Sequence, residues 1–208
     1  KPVFILSAET ENKPSIMKTL SRPVTKYMVR HSTACLALST LAKEYLLKLG
    51  ASNDKVCVLP NSIDTEFFSS ESERYREQKA KYKKEKGIEN EFVILYVGRL
   101  IEIKGVEYLL RAYQKVKIEI PDTCLVLVGD GPLRRDLDQI CKSEDIRDVH
   151  FTGNVSNALL PLYYSIADVF VLPSLRETWG IVLNEAMACK CPVIASRGAG
   201  ASADLIEN

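Results

Sequence analysis

The sequence predicts an α/β fold in which a doubly wound parallel sheet carries helices on both faces. From Glu91 onward, short apolar runs typical of buried strands alternate with amphipathic segments of helical length. Helical segments between successive strands favour parallel pairing with right-handed crossovers. Glycines and polar residues follow several of the strands, at the sheet edge where open α/β folds bind ligands.

The first 64 residues show the same alternation in a shorter form. A strand is predicted at Val3 to Ser7, and a helix at Ile16 to Arg30 that Arg22-Pro23 should interrupt or restart. The pattern continues with a strand, a helix and a strand at Ala34 to Ser39, Thr40 to Leu49 and Val56 to Leu59. Glu9 and Glu11 lie in the polar loop after the first strand, where they are candidates for touching an acceptor, although a solvated loop is the simpler interpretation.

The segment from Ser69 to Lys86 is charge-rich, with little to bury apart from Tyr75 and Tyr82. A basic helix can dock on an anionic membrane, but this one lacks an apolar face. The sequence therefore predicts a solvated helix and linker here.

Residues 91–208 contain five predicted strands joined by four predicted helices. The strands are Phe92 to Val97, Cys124 to Val128, Val149 to Thr152, Val169 to Leu172 and Val193 to Ala195. The helices are Val106 to Glu119, Pro132 to Ser143, Ala158 to Ala167 and Trp179 to Ala188.

Composition excludes several classes of protein. Of the 208 residues, 46% are hydrophobic and 26% charged, which suits a folded domain with a sizeable core. A net charge of +1 argues against a nucleic-acid partner. No apolar run reaches the roughly 18 residues needed for a transmembrane segment. With only two histidines and no C-x2-C pair, no metal site is predicted, and the six cysteines are expected to be reduced thiols in a reducing compartment.

Leu172 to Ser196 places two carboxylates in one strand-helix-strand unit. Glu177 follows the first strand, and Glu185 lies within the predicted helix. Eight helical residues rise about 12 Å, whereas paired glycosidase carboxylates stand about 5 to 9.5 Å apart. The two acids therefore suit two parts of one long ligand better than one shared proton. Between them, four amides open the helix and can attract phosphate, those of Thr178, Trp179, Gly180 and Ile181.

This stretch resembles the E-x7-E signature of retaining glycosyltransferases of the GT-B fold, glycosyltransferase family 4 in particular. The match comprises a proline and a serine, Glu177, a glycine, Glu185-Ala186-Met187-Ala188 and Pro192-Val193-Ile194-Ala195-Ser196. The resemblance implies that Glu177 contacts the donor sugar, that the loop amides contact sugar and phosphate, and that Glu185 binds the ribose hydroxyls. The family usually has glycine where this chain has Lys190. Without the flanking strands, an amphipathic helix with two solvated acids would explain the spacing equally well.

Gly98 to Gly105 follows the first strand of the second domain. An arginine and a lysine five residues apart, Arg99 and Lys104, suit a pyrophosphate. The phrase resembles the family's G-R-L-x3-K-G, which implies that Arg99 and Lys104 hold the donor diphosphate and steady the leaving group. A surface loop with a solvated Lys104 is the alternative.

Three further turns follow strands. Gly129-Asp130-Gly131-Pro132 resembles the family's G-x-G-P turn and is predicted to open a helix with proline at its first position. Val155 lies in a loop that resembles the one whose backbone contacts the base. Gly198 and Gly200 follow the last predicted strand, so they do not fit a dinucleotide fingerprint. In the family this turn lies near the donor phosphates.

The resemblance implies a fragment of a Rossmann-like, two-domain GT-B protein. Residues 1–64 would be the end of the acceptor domain, residues 65–90 a linker and connecting helix, and residues 91–208 a truncated donor domain. The implied activity is sugar transfer, with retention, from a nucleotide-diphosphate sugar to an acceptor hydroxyl, in polysaccharide, lipopolysaccharide or glycolipid biosynthesis. We expect a glycan or lipid-linked acceptor, no cofactor, a cytoplasmic location with peripheral membrane contact in the full-length chain, and an inactive isolated fragment.

Two alternatives remain open from the residues. One is a nucleotide-sugar epimerase or hydrolase of the same fold, which needs no acceptor. The other is a non-catalytic nucleotide-binding module. Acceptor-dependent turnover distinguishes the transferase from both.

Overall fold

The computed structural model describes residues 4–7 and 16–207, with side chains from Arg22 onward. In the described residues the strands are β1 (Phe4–Ser7), β2 (Ala34–Ala37), β3 (Val56–Val58), β4 (Phe92–Val97), β5 (Thr123–Val128), β6 (Val149–Gly153), β7 (Val169–Leu172) and β8 (Val193–Ala195). The helices are α1 (Ile16–His31), α2 (Thr40–Lys48), α3 (Thr65–Arg76), α4 (Lys79–Glu85), α5 (Val106–Glu119), α6 (Arg134–Ser143), α7 (Leu160–Ile166), α8 (Ile181–Ala188) and α9 (Ser202–Leu205).

Contacts between residues divide the chain into two compact units. Unit 1 contains the described residues as far as Ser62, Glu177–Gly180 and the described residues from Ala199. Unit 2 contains Ile63–Arg176 and Ile181–Gly198. The division follows spatial contacts, so two short segments from late in the sequence belong to unit 1.

Unit 1 is built on a three-stranded parallel sheet in the order β1-β2-β3. Its core joins Val29 of α1, Cys35 and Ala37 of β2, and Ala42 and Leu46 of α2. Ser39 begins α2 by accepting a hydrogen bond from the Ala42 N–H at 3.0 Å. Such a cap satisfies one of the N–H groups that the first turn of a helix leaves unpaired.

Unit 2 is a five-stranded parallel sheet in the order β6-β5-β4-β7-β8. On one face, Leu125 and Leu127 of β5 pack with Leu110 of α5 and Leu137 of α6. On the other face, the ring of Tyr164 in α7 lies 5.6 Å from that of Phe170 in β7. Helices on both faces of a parallel sheet confirm the doubly wound α/β prediction. Strand order reverses between β4 and β7, and at such a position the loops leave a crevice for ligands.

Two predictions about helices are wrong. Helix α1 runs through Pro23 without interruption, because one missing backbone hydrogen bond does not outweigh the packing of the helix, whose Val29 is 1% exposed. The charge-rich segment was predicted to lack an apolar face and to be solvated, but Ser72 and Tyr75 in its helix α3 are buried, as is Phe68 of the same helix, just before the segment. Helix α3 contacts α7 and α8, and the ring of Phe68 lies 6.4 Å from that of Tyr164 in α7.

Two helix starts also differ from the predicted ones. Helix α8 begins at Ile181 rather than Trp179, because Gly180 has a φ of +96°, which ends any helical run before it. The estimate of eight helical residues between Glu177 and Glu185 is therefore wrong. Helix α6 begins at Arg134 with Leu133 as its N-cap, so Pro132 is not at the first helical position.

Candidate functional site

The loops at the carboxyl ends of β4, β5 and β6 interlock through their backbones. The Gly129 N–H donates to the Gly153 carbonyl at 2.8 Å, and the Leu100 N–H donates to the Asp130 carbonyl at 3.0 Å. A Cβ on Gly129 would overlap the Gly98 carbonyl, and one on Gly131 would overlap that of Leu100. The glycines of the G-x-G turn therefore allow it to pack directly against the loop that carries Arg99. The G-x-G-P turn was identified in the sequence, but its packing against the Arg99 loop was not predicted.

The other end of the Arg99 loop is held by the segment after β7. Lys104 closes a short 3-10 helix, Glu102–Lys104, and Gly105 follows in the left-handed region at a φ of +65°. A Cβ on Gly105 would overlap the carbonyl of Pro173. The Leu175 N–H donates to the carbonyl of Ile103 at 2.9 Å. Lys104 thus lies on a loop with little freedom to shift.

Arg99 and Lys104 lie close enough to influence each other. Arg99 is exposed, and its carbonyl accepts a hydrogen bond from the Tyr96 hydroxyl at 2.8 Å. Lys104 is half-buried. Burial lowers the pKa of Lys104 below its usual value, and the positive charge of Arg99 lowers it further. A half-buried lysine beside a second cation favours a bound anion, which would offset both the burial of Lys104 and its repulsion by Arg99.

Glu185 is buried in α8 and paired with a tyrosine. Its side chain is 9% exposed, and Oε2 accepts a hydrogen bond from the Tyr164 hydroxyl at 2.8 Å. Burial raises the pKa of Glu185 above its usual value, and the Tyr164 hydrogen bond opposes that rise. Tyr164 was not predicted as a partner of Glu185, because nothing in the local sequence marks it among the apolar residues of α7.

The loop Glu177–Gly180 belongs to unit 1. Trp179 is 2% exposed, whereas Thr178 is exposed. The Gly200 N–H donates to the Glu177 carbonyl at 3.0 Å, and the Ala201 N–H donates to the Trp179 carbonyl at 2.7 Å. The backbone of this loop is therefore held by the segment that follows β8.

The remaining candidates lie in unit 2 or outside the described residues. Val155 is half-buried in the loop after β6, and Ile181 is the first residue of α8, 40% exposed. Gly98, Arg99, Lys104, Val155, Ile181 and Glu185 all belong to unit 2. Glu9 and Glu11 lie outside the described residues.

A pocket of about 580 Å³ lies along the edge strand β6. It is lined by side chains that include Lys86, Arg134, His150 and Tyr163, and by none of the predicted site residues. Among residues 22–207, no group of three side chains is arranged to hold a metal ion. No described helix has the length and apolar character to cross a bilayer.

Comparison with known proteins gives a consistent family match. Residues 78–208 match the family model described as "Glycosyl transferases group 1". An uncharacterized glycosyltransferase of Methanocaldococcus jannaschii is 37% identical over 163 residues, covering 77% of this chain and 41% of that protein. A GDP-mannose-dependent alpha-(1-6)-phosphatidylinositol monomannoside mannosyltransferase of Mycolicibacterium smegmatis is 31% identical over 157 residues, covering 72% of this chain and 40% of that protein. The chain thus spans about two fifths of each of these relatives.

A solved structure has a similar fold. The crystal structure of HepE from Anabaena in complex with UDP superposes with a TM-score of 0.82 at 21% identity, covering 100% of this chain and 56% of that one.

Proposed function

This chain belongs to the glycosyl transferases group 1 family and has the GT-B glycosyltransferase fold. On that premise we propose that it moves a sugar from a nucleotide-diphosphate donor to an acceptor hydroxyl, with retention of anomeric configuration. The donor class is supported by two comparisons. HepE has been crystallised with UDP-glucose, and the mycobacterial relative is named as GDP-mannose-dependent.

The observation that carries the proposal is the pair formed by Arg99 and Lys104. When the bond between sugar and phosphate breaks, negative charge develops on the departing diphosphate. Fixed cations aimed at that charge stabilise the transition state more than the ground state. Lys104 is half-buried, and burial and the charge of Arg99 lower its pKa, so a diphosphate bound beside it would favour its charged form. Arg99 adds a planar fork that suits phosphate oxygens.

The other candidates would hold the rest of the donor. Glu185, oriented by Tyr164, would accept hydrogen bonds from the ribose hydroxyls, and the backbone near Val155 would contact the base. Glu177 and the amides from Thr178 to Ile181 would contact the sugar and its phosphate. The Glu185 role requires an ionised carboxylate, so donor affinity should fall as pH decreases through the raised pKa of this group.

We propose a glycan or lipid-linked acceptor, with the protein acting in the cytoplasm or on the cytoplasmic membrane face. The mycobacterial relative carries a lipid acceptor in its name, which supports that class. We expect turnover from the full-length protein rather than from these 208 residues alone.

Calorimetric titration of the full-length protein with nucleoside diphosphates and their sugars tests the donor site. Arg99→Ala and Lys104→Ala should each weaken binding roughly tenfold or more, since each removes a charge-assisted contact of about 1.5–3 kcal/mol. Arg147→Ala is the matched control, because Arg147 is an exposed arginine paired with Asp145 just before β6. Unchanged affinity in both site variants would refute the assignment.

Product analysis separates the transferase from its alternatives. A transferase forms its product only when an acceptor is present. Sugar release or epimerisation without an acceptor would favour the epimerase or hydrolase, and binding without turnover would favour a nucleotide-binding module.

A further inference from the structure

The carboxylate of Asp204 fixes α9 to the start of α2. Its Oδ2 accepts a hydrogen bond from the Thr40 N–H at 2.9 Å, and its Oδ1 accepts from the Thr40 hydroxyl. The two residues are 164 positions apart in the sequence, and both belong to unit 1. An anionic side chain at the first turn of a helix is further favoured by the helix dipole.

Helix α2 does not depend on Asp204 for its capping. Ser39, which is fully buried, already caps the helix through the Ala42 N–H. Helix α9, by contrast, has only four residues, and a helix of one turn is not stable without tertiary contacts. The contact with Thr40 therefore contributes more to holding α9 than to forming α2.

Helix α9 is bonded in turn to the loop Glu177–Gly180. The Asp204 N–H donates to the Ala201 carbonyl at 3.1 Å, and the Ala201 N–H donates to the Trp179 carbonyl at 2.7 Å. Two backbone hydrogen bonds thus connect Asp204 with Trp179. Ala199 pairs with Glu177 in an isolated parallel bridge.

The turn before α9 and the loop also fit closely. A Cβ on Gly200 would overlap the carbonyl of Thr178. Ala199 and Ala201 are both fully buried. Because no space separates the two segments, a shift of the turn has to move the loop.

We propose that Asp204 is a positioning residue for the loop Glu177–Gly180. The side chain touches no donor atom in this scheme. It holds α9 against α2, α9 fixes the turn at Ala199–Ala201, and the turn fixes the loop that the proposed function assigns to the donor sugar and its phosphate. The expected effect on donor binding rests on the proposed function. The structural part, in which Asp204 holds the loop in place, rests on contacts within unit 1 alone.

Hydrogen exchange of the full-length protein tests the structural part. In Asp204→Asn, the Gly200 and Ala201 amides should exchange roughly three- to tenfold faster, since the substitution removes the charge and one of the two acceptor oxygens that bond Thr40, and weakening contacts at a helix terminus loosens the local structure by about that factor. Thr40→Val should have a smaller effect, because it keeps the N–H, and Thr40→Ser should restore wild-type exchange. The control is Asp54→Asn, the same change at an exposed aspartate of unit 1 that bonds Ser52 and not α2 or α9.

Calorimetric titration tests the functional part. The probes are UDP-glucose and GDP-mannose, compared with UMP and GMP, which lack the sugar and the second phosphate. Asp204→Asn should weaken binding of the nucleotide sugar roughly threefold to tenfold and leave the monophosphate within about twofold, corresponding to less than about 0.4 kcal/mol. A structural role unrelated to the loop would not separate the two ligands.

The outcomes distinguish this inference from the proposed function. If the wild-type protein binds a nucleotide sugar and Asp204→Asn binds it with the same affinity, the inference alone is overturned. Unchanged hydrogen exchange at the Gly200 and Ala201 amides also overturns the inference alone. A wild-type protein that binds no nucleotide sugar overturns the proposed function and the inference together. Faster exchange with selective loss of nucleotide-sugar affinity supports both.

Discussion

Replacing Tyr164 by phenylalanine tests how Glu185 is held. The substitution removes only the hydroxyl that donates to Glu185 Oε2 at 2.8 Å. Tyr164 is fully buried and Glu185 is 9% exposed, so water cannot readily replace the lost donor. A hydrogen bond to an ionised group contributes about 1.5–3 kcal/mol, and we expect the free energy of unfolding to fall by about that amount at a pH above the raised pKa of Glu185, where the carboxyl is ionised.

The loss of unfolding free energy in Tyr164→Phe should depend on pH, and the ionisation of Glu185 determines in which direction it changes. Its pKa is raised in the folded protein, mainly by burial, so ionising this carboxyl costs stability as pH rises through that raised pKa. Removing the Tyr164 donor increases that cost. Near pH 4.5, where the folded carboxyl is protonated, only a neutral hydrogen bond is lost, at about 0.5–1.5 kcal/mol.

Urea unfolding at both pH values measures the difference, with Tyr113→Phe as the control. Tyr113 is equally buried, but its hydroxyl donates to backbone carbonyls, among them that of Thr123 at 3.0 Å. Tyr113→Phe should therefore lose about the same free energy at both pH values. Tyr164→Phe should also weaken nucleoside diphosphate binding roughly threefold to tenfold, or about 0.7–1.4 kcal/mol. An equal loss of stability at both pH values, with unchanged binding, would refute the reasoning.

Two glycine positions give further predictions. Gly105→Ala should lower turnover roughly a hundredfold, because the Cβ would displace the loop that carries Lys104. Gly87→Ala is its control in the same assays, since Gly87 has a similar φ of +67° with open space around it; equal turnover in the two variants would contradict the prediction. Lys190→Gly should raise the free energy of unfolding by about 0.5 kcal/mol, because glycine relieves a φ of +54° after α8 and loses only an exposed pair with Glu73. Glu73→Ala loses only the ion pair with Lys190. If urea unfolding finds Lys190→Gly less stable than Glu73→Ala, the relieved backbone conformation contributes no stability.

The residue pattern predicted the five-stranded sheet of unit 2 well. The bounds of β4, β7, β8 and α5 agree with the predicted ones, because strands buried on both faces give continuous apolar runs and amphipathic helices have a 3.6-residue period. Parallel order then implied that the loop with Arg99 and Lys104 lies at the carboxyl edge. Charge composition was a poorer guide, since α3 carries many charges and still buries Phe68 and Tyr75.

Several features depended on the tertiary structure. The start of α8 is set by the backbone of Gly180, the orientation of Glu185 by Tyr164, and the packing of the Arg99 loop by Gly129 and Gly131. The contact between Asp204 and Thr40 belongs to the same group. Periodicity and turn chemistry encode what a residue does relative to its near neighbours along the chain. Which distant residues meet is decided only when the sheets form and their loops come together. The sequence alone therefore determined the elements and the motifs around Arg99 and Glu177, and the folded chain determined what holds those motifs in place.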